Sequence, residues 1–571
     1  MNASIRALVG AAGVVFVAVV LLADAPATAR SSGAPTIATL PIPGHRPFVR
    51  IARDVVDLVA ELDPSIVAGA GLFDDAVRVP GFSPARVEAL VRRIDHDLDD
   101  LHDLPWRTWS VDEQIDVRLV YATAETLRHQ LTRERMFEHR PAQWLEPVGN
   151  NLLALASYAP DRPELQDRVL ALVPPMLAEI PAVATRPTRR DVETARRLTD
   201  ALHTVAVQRG ATAAAEALLA YGSSLDGLHP TVEYTVVGAA DYAWRFEHTL
   251  LLPWTPQELL ARAQADLTTV DARIAALPPR PDPVPPGEDM IEMARTLTRE
   301  RLLGLYDVIE EANRAATVRG GWVTIPGTVG PIHARETPDA LVPLTGDGGS
   351  MNPPPTFATS NIGYWNVEHF NPGWTEAERL GMVTNALGFL SNGMGPYAAH
   401  EGFPGHHLQL SLARLNPDPL RSILPDPVQN EGWALYAEEV FFRHGGLDPA
   451  AERSILGSYR HRIRRVVYDV HIETGAWDLQ RAADYKYNAE PGQGAIDEEL
   501  MRSIQWPTQL ICYYAGRAQI VQLREDYARK MGAQYDERAF HDQLLAAGSI
   551  PITLIRAGLL GEAVPDFPTV P

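Results

Sequence analysis

Apolar residues recur at three- and four-residue spacing along most of the chain, and this helical periodicity limits the fold more than any other feature. One stripe covers 87–101, behind an N-cap and a first-turn proline at Ser83 and Pro84. Another covers 259–277, behind the capping box that Thr255 opens. Similar patterns cover 110–134, 189–220, 288–315, 374–393, 428–443, 450–484 and 507–530. The sequence therefore predicts a mostly α fold.

Strand signals are few. The best are the runs 321–325 and 360–367, the second of which contains Tyr364 and Asn366 in an alternating pattern. We expect a small β-sheet from them. The Pro/Gly-rich stretch 337–359 predicts a long loop.

The first residues resemble a segment that directs export. An apolar run of 17 residues, 7–23, is followed by an A-x-A cleavage pattern that ends at Ala29. The run is shorter than the about 20 residues that span a bilayer comfortably. We therefore expect a signal peptide at 1–29, a periplasmic or extracellular protein, and no stable membrane insertion beyond an uncleaved signal segment.

The rest of the chain is predicted to have three parts. A Pro/Ser-rich lead-in, 30–47, is followed by an N-terminal helical half, 48–278. A loop rich in proline then precedes the C-terminal half, 288–571, which contains the residues with the clearest chemistry.

Charge and cysteine content exclude several classes of function. Lys and Arg number 51 against 72 Asp and Glu, so the formal net charge is −21. Such a surface repels phosphate backbones, and we expect no nucleic-acid partner. The single cysteine, Cys512, excludes an intramolecular disulfide and a cysteine-based zinc site. A metal in this protein must be held by His, Asp and Glu.

Only one segment concentrates histidines: His400 and Glu401 are followed, after Gly-Phe-Pro-Gly, by His406 and His407. Metal-dependent hydrolysis needs imidazole ligands and a carboxylate base, which a His-Glu pair supplies. The usual second ligand, four residues on, is replaced here by Pro404. On an unbroken helix His407 would lie about 10.5 Å along the axis from His400. A turn at Pro-Gly brings the chain back, and either later histidine can then be the ligand.

A third ligand is expected from the helix that begins near residue 428. Glu431 lies in its first turn, where a carboxylate is favourable, and can point across at a metal. Glu438 is seven residues later on the same face and can accept a hydrogen bond from a ligand histidine. The alternative is a solvated acidic face.

The pattern HE-x-x-PGHH-x-Q at 400–409, with EGWALYAEE at 431–439, resembles the bacterial family called domain of unknown function 885. That family resembles mostly helical zinc peptidases of the thimet-oligopeptidase and thermostable-carboxypeptidase type. The similarity continues through 460–477, 507–513 and the tail motifs near 540–551. It implies a zincin-like helical peptidase fold with a small sheet near the active site.

The resemblance also implies roles for single residues. It implies Zn²⁺ held by His400, His406 and Glu431, with Glu401 as the base and Tyr513 as an oxyanion donor. His407 and Tyr514 are the alternatives to their neighbours His406 and Tyr513. Glu438 and Asp469 are expected to support the ligands.

One departure affects the expected mechanism. Where the family has D-V-x-L-H-T-G, this chain has Asp469-Val470-His471-Ile472-Glu473-Thr474-Gly475. Glu473 replaces the family histidine, and a carboxylate there would oppose a developing oxyanion. His471 is therefore a second candidate for the catalytic donor.

Taken together, the sequence predicts an exported zinc-dependent metallopeptidase with a peptide substrate. We expect 360–367 to be an edge strand beside the metal, binding an extended peptide through its backbone, although a buried structural strand is an equal alternative. Tyr364, Asn366, Arg460 and Arg464 are the expected substrate-binding residues. The competing functions are a non-catalytic peptide-binding relative and another metal-dependent amide or ester hydrolase.

Overall fold

The computed structural model describes residues 35–279, 285–338, 342, 348–387 and 394–568. The predicted signal peptide and residues 30–34 of the lead-in lie outside the described residues. The described chain is mostly helical with one three-stranded sheet, which confirms the predicted fold class. In the part of the chain that the structure describes, no helix combines the length and the apolarity that crossing a bilayer requires.

The N-terminal helices are α1 (Arg46–Leu62), α2 (Pro64–Ala70), α3 (Pro84–Asp103), α4 (Val111–His129), α5 (Ala142–Tyr158), α6 (Glu164–Val183), α7 (Arg189–Gln208), α8 (Thr212–Asp226), α9 (Ala239–Trp244) and α10 (Pro256–Ala276). Then follow α11 (Glu288–Arg295), α12 (Arg299–Gly320), β1 (Ile332–Glu336), β2 (Ser350–Asn352), β3 (Gly363–Val367), α13 (Glu376–Leu387), α14 (Met394–Glu401) and α15 (His406–Ala413). The chain continues with α16 (Leu420–Ile423), α17 (Pro427–Arg443), α18 (Glu452–Glu473), α19 (Leu479–Tyr487), α20 (Glu498–Gln505), α21 (Cys512–Met531), α22 (Glu537–Ala546) and α23 (Ile552–Leu560).

Capping residues and first-turn prolines predict the starts of the expected helices well, but helical periodicity misses the glycines that divide some of them. The predicted capping box at Thr255 is present, with the hydroxyl accepting from the Glu258 amide at 3.2 Å. The predicted helix 189–220 is two helices, because Gly210 adopts a φ of +69° between α7 and α8. In the same way Gly475, at φ +74°, separates α18 from α19 within the predicted helix 450–484. The predicted helix 374–393 is described only as far as Leu387, and residues 388–393 lie outside the described residues.

The sheet corrects the predicted edge strand. Its order is β1-β3-β2, so β3 is the central strand, parallel to β1 and antiparallel to β2. Both edges of β3 are therefore already paired, and it offers no free edge to a peptide.

The predicted strand 321–325 is also wrong, because the segment is irregular. Its backbone groups bond to side chains of α22 instead of to a neighbouring strand. The Thr324 amide donates to Asp542 at 2.8 Å, and the Trp322 carbonyl accepts from His541 at 2.8 Å.

The main hydrophobic core contains side chains from both predicted halves of the chain, from Ile51 in α1 to Trp433 in α17. Within it, α17 and α21 approach each other most closely at two glycines. A Cβ at Gly432 would lie 2.4 Å from the Gly516 Cα, and one at Gly516 would lie 1.9 Å from the Val428 carbonyl oxygen. Only glycine permits this approach, which places α17 directly against the start of α21.

We predict that Gly516→Ala lowers the free energy of unfolding by about 2 kcal/mol, because the added methyl group forces two helix backbones apart. Thermal unfolding followed by circular dichroism measures this as a lower Tm. Gly457→Ala is the matched control, since that glycine lies inside α18 with open space around its Cα. There alanine should stabilise the helix by about 0.5–1 kcal/mol. A Gly516→Ala protein as stable as the parent would contradict the close-contact argument.

Candidate metal centre

The segment between α14 and α15 folds the two helices back on each other. α14 ends at Glu401 and α15 begins at His406, with a cis peptide bond between Phe403 and Pro404 in the intervening turn. A Cβ at Gly405 would lie 1.9 Å from the His400 carbonyl oxygen, so this position requires glycine. The turn brings the rings of His400 and His406 to a centroid distance of 4.8 Å, nearly perpendicular to each other.

Glu431 completes a cluster of three ligand atoms. Its Oε2 lies 3.5 Å from Nε2 of His400 and 3.3 Å from Nε2 of His406, and the three ligand atoms all lie within 4.8 Å of one another. The Glu431 Oε2 atom is buried and has no hydrogen-bond partner among the described residues. An unsatisfied buried carboxylate oxygen beside two imidazole nitrogens is the arrangement that a divalent cation satisfies.

His407 lies on the other side of the helix. Its Nε2 donates to the Gly330 carbonyl at 2.9 Å, near the start of β1. The structure thus places His406, and not His407, beside His400. His407 instead attaches α15 to the segment that leads into the sheet.

Glu438 holds His400 in one orientation. Its Oε1 accepts from His400 Nδ1 at 2.8 Å, which leaves Nε2 free to face Glu431. Its Oε2 accepts from the Ser458 hydroxyl at 2.6 Å, and Arg462 donates to the same hydroxyl oxygen at 2.7 Å. Ser458 and Arg462 were not predicted. In the sequence, the spacing of Ser458, Arg462 and Arg465 by four and three residues indicates that they share one face of α18.

Buried carboxylates and histidines lie side by side in the cluster, and each shifts the pKa of its neighbours. Burial opposes the charged form of His400, but the adjacent carboxylates of Glu431 and Glu438 outweigh it and raise the pKa of His400 to about 9. Burial also opposes ionisation of Glu431, yet the two histidines hold its pKa well below the usual range. For Glu401 burial prevails and raises the pKa, although His400 and His406 oppose the shift.

Glu310 of α12 is a second buried acid that the sequence did not single out. Its Oε2 accepts from the Phe403 amide at 3.1 Å, and a Cβ at Gly402 would lie 1.7 Å from the same oxygen. Burial and the charge of Glu401 raise the pKa of Glu310 well above its usual value. The sequence feature that could have identified Glu310 is an acidic residue among the buried positions of a helix. Glu310 supports the turn that returns His406 to His400.

Tyr513 lies against the ligand cluster. Its ring stacks on the His400 ring at a centroid distance of 6.1 Å, and the guanidinium of Arg465 lies 4.7 Å from the Tyr513 ring centroid. Burial and the charge of Glu431 raise its pKa, so the phenol keeps its proton across neutral pH. The neighbouring Tyr514 points elsewhere and donates to Asp266 at 2.9 Å.

The structure does not bring His471 to the cluster. Its ring stacks on Trp477, at 4.2 Å, near the end of α18. Asp469 accepts hydrogen bonds from Tyr242 and Ser503, at 2.6 and 2.5 Å, and so belongs to a separate buried polar group. Both residues lie away from the cluster, because Asp469 contacts α9 and α20 and His471 contacts Trp477, which precedes α19.

The four expected substrate-binding residues have structural contacts. Tyr364 packs under the Arg335 guanidinium, 4.4 Å from the ring centroid. Asn366 is buried and makes its hydrogen bonds within the sheet, to Arg335, Ser350 and Asn352. Arg460 pairs with Asp271 at 2.6 Å, and Arg464 donates to Asn488 at 3.0 Å. The arginines of α18 that reach the cluster are Arg462 and Arg465, on a different face.

The chain is similar to one family of bacterial proteins, because a family model described as "Bacterial protein of unknown function (DUF885)" matches residues 167–559. A solved structure assigned as a lipoprotein of unknown function from Shewanella oneidensis has a TM-score of 0.67 and 18% identity, and covers 90% of this chain and 99% of its own. Another, assigned as a lipoprotein from Colwellia psychrerythraea, has a TM-score of 0.64, 15% identity and the same two coverages. At these identities the likeness shows a common fold. A comparison with curated proteins finds no match.

We predict that Glu473 lowers the free energy of unfolding as pH rises. The side chain is buried, accepts from the Val237 amide at 3.1 Å, and burial raises its pKa from 4.5 to about 8. The unfolded chain therefore loses this proton between about pH 4.5 and 8 while the folded chain retains it, which lowers stability across that window.

Glu473→Gln removes the proton equilibrium and keeps an acceptor for Val237. At pH 7 the variant should be more stable than the parent by on the order of 3 kcal/mol, and the difference should vanish near pH 4. Urea unfolding at several pH values measures it. Glu490→Gln, at an exposed position, is the control. Equal pH profiles for parent and Glu473→Gln would refute the assignment.

Proposed function

The chain belongs to the bacterial family DUF885, and from the geometry of its His400 cluster we propose that it is an exported, zinc-dependent metallopeptidase. One observation carries the proposal: two imidazole nitrogens converge within 4.8 Å with a buried carboxylate oxygen that has no hydrogen-bond partner in the part of the chain that the structure describes. Two histidines and one carboxylate are a ligand set of catalytic zinc sites, which keep one position open for water or substrate.

The residues present fit Zn²⁺. His400 and His406 supply nitrogen ligands, Glu431 supplies an oxygen ligand, and Glu438 fixes the outer nitrogen of His400. Zinc at such a site acts as a Lewis acid and lowers the pKa of water towards about 7.

The chemistry of the protein's own groups follows from their placement. Glu401 is adjacent to the first ligand and buried, so it is suited to accept a proton from the attacking water and to pass it to the leaving amine. Tyr513 retains its proton and lies against His400, so it is suited to donate to the oxyanion of the tetrahedral intermediate. These are the acid, base and donor that amide hydrolysis requires.

A peptide substrate and an extracytoplasmic location are supported by two further points. The motifs between 400 and 513 resemble those of the DUF885 family, and that family in turn resembles helical zinc peptidases. The structural relatives from Shewanella oneidensis and Colwellia psychrerythraea are assigned as lipoproteins, a class of exported protein. The apolar run 7–23 with its cleavage pattern agrees with export.

We predict one zinc ion per chain, bound through His406. His406→Gln and Glu431→Gln should each weaken zinc binding at least about tenfold, because each removes a ligand. His407→Gln is the matched control, since His407 is adjacent and bonds to Gly330 instead. Zinc content by atomic emission and affinity by competition with a chelator are the measurements. Loss of zinc from His407→Gln but not from His406→Gln would reverse the assignment.

We predict that Glu401→Gln keeps its zinc and loses at least about 10²-fold in kcat, since a general base contributes about 10²–10⁴. The zinc-loaded parent is assayed on a mixed peptide library by mass spectrometry, and on small esters in parallel. Hydrolysis of esters alone would identify another metal-dependent hydrolase. Binding of peptides without cleavage would identify a non-catalytic relative. Near-parental kcat in Glu401→Gln would remove Glu401 from the mechanism.

A further inference from the structure

Arg502 of α20 fixes the orientation of one side-chain amide. Its Nη2 donates to Gln509 Oε1 at 2.7 Å. A guanidinium only donates hydrogen bonds, so the oxygen of Gln509 faces Arg502 and its NH₂ group faces the opposite way. Among the described residues Arg502 forms no ion pair with a carboxylate; its guanidinium bonds to the Gln509 amide and lies 5.8 Å from the Trp506 ring centroid.

The NH₂ group of Gln509 meets Tyr513. Its Nε2 lies 3.3 Å from the phenol oxygen and donates to it, because an amide nitrogen cannot accept. The preceding residue, Thr508, has a φ of +77°, a left-handed conformation that is unusual for a β-branched residue. Such outliers persist where surrounding structure imposes them, commonly at functional sites. Here the strained residue places Gln509 between α20 and the first turn of α21.

The phenol proton is left available. The Tyr513 oxygen accepts from Gln509, and within the described ranges no other group forms a hydrogen bond with it. Since the ring lies against His400, the unused proton belongs to a phenol at the edge of the ligand cluster.

We propose that Arg502 and Gln509 are positioning residues that set the hydrogen-bond polarity of Tyr513, so that the phenol donates its proton to a substrate oxygen at the metal centre. The order of donation is Arg502 to Gln509, Gln509 to Tyr513, and Tyr513 to substrate. The identity of the substrate in this inference rests on the proposed function, whereas the direction of the hydrogen bonds does not.

Gln509→Glu tests the polarity because it reverses one link. The carboxylate accepts from Arg502 and also from the Tyr513 hydroxyl, which then no longer donates to substrate. We expect kcat to fall about 10²-fold, close to the about 10²–10³-fold loss expected for Tyr513→Phe, with zinc content unchanged. Gln505→Glu is the matched control, since that amide donates to Thr194 at 2.9 Å.

A double-mutant cycle separates orientation from general damage. In the Tyr513→Phe background, Gln509→Glu should cause no further loss, because the proton it captures is already absent. Arg502→Met should lower kcat and Arg502→Lys should restore it, since lysine also only donates. Additive losses in the cycle would overturn the proposal, as would parental activity in Gln509→Glu.

A binding measurement distinguishes failure of this inference from failure of the proposed function. Inorganic phosphate is titrated into the zinc-loaded protein by calorimetry, where its oxygens accept from Tyr513. Tyr513→Phe and Gln509→Glu should each weaken phosphate binding about tenfold, and the double variant should bind no more weakly than either single variant. If the carboxylate that Gln509→Glu introduces acted only by repelling phosphate, the double variant would bind more weakly than Tyr513→Phe alone. If the protein shows these phosphate affinities but hydrolyses no substrate, the proposed peptidase function is refuted and the proposed hydrogen-bond polarity of Tyr513 is supported. Unchanged phosphate affinity in both single variants, or no phosphate binding at all, refutes the polarity.

Discussion

The burial of three carboxylates around one histidine is the constraint on which the rest of the site depends. Glu401, Glu431 and Glu438 are removed from water within the same small volume, and ionised carboxylates there are costly unless they are paired. Arg462 and the protonated His400 provide nearby positive charge, and His406 Nε2 lies 3.3 Å from the Glu431 carboxylate. The carboxylates of Glu431 and Glu438 raise the pKa of His400 to about 9. A divalent cation would satisfy the same cluster by displacing the proton.

Close backbone contacts deliver these side chains to one place. Gly405 lets α15 begin against the last turn of α14, which brings His406 to His400. Gly432 and Gly516 let α17 and α21 touch, one residue from Glu431 and three from Tyr513. Because each contact leaves no room for a Cβ, the positions of the ligands and of the phenol are determined by helix packing more than by the loops that connect the helices.

The arrangement around Tyr513 shows how a polar network acquires a direction. Each member of the chain from Arg502 to Tyr513 has a donor or an acceptor imposed on it by the previous one. The direction of donation determines which group in the site retains a proton that it can donate. The fold shared with the lipoprotein relatives does not specify such a network, and function must be argued from the residues of the site.

Local sequence determined the fold class, the starts of the helices that it predicted and the residues of the candidate site. Helical periodicity, capping boxes and the HE-x-x-PGHH pattern are encoded within a few residues of each other, so they can be recognised without tertiary structure. Glu431 and Glu438 could be paired with His400 because they share one helical face. The strand 321–325 was mistaken because β propensity does not reveal whether a partner strand exists.

Tertiary structure decided the rest, because those features depend on which helix faces which. His406 rather than His407, Tyr513 rather than Tyr514, and the central position of β3 all follow from packing against distant elements. The rotation of α18 brings Arg462 and Arg465 to the site and turns Arg460, Arg464 and His471 away. For Glu310 the sequence shows only an acid among buried helical positions, and for Arg502 the local pattern gives no indication of the site. Their roles arise only from contacts between residues far apart in the chain, which no local pattern encodes.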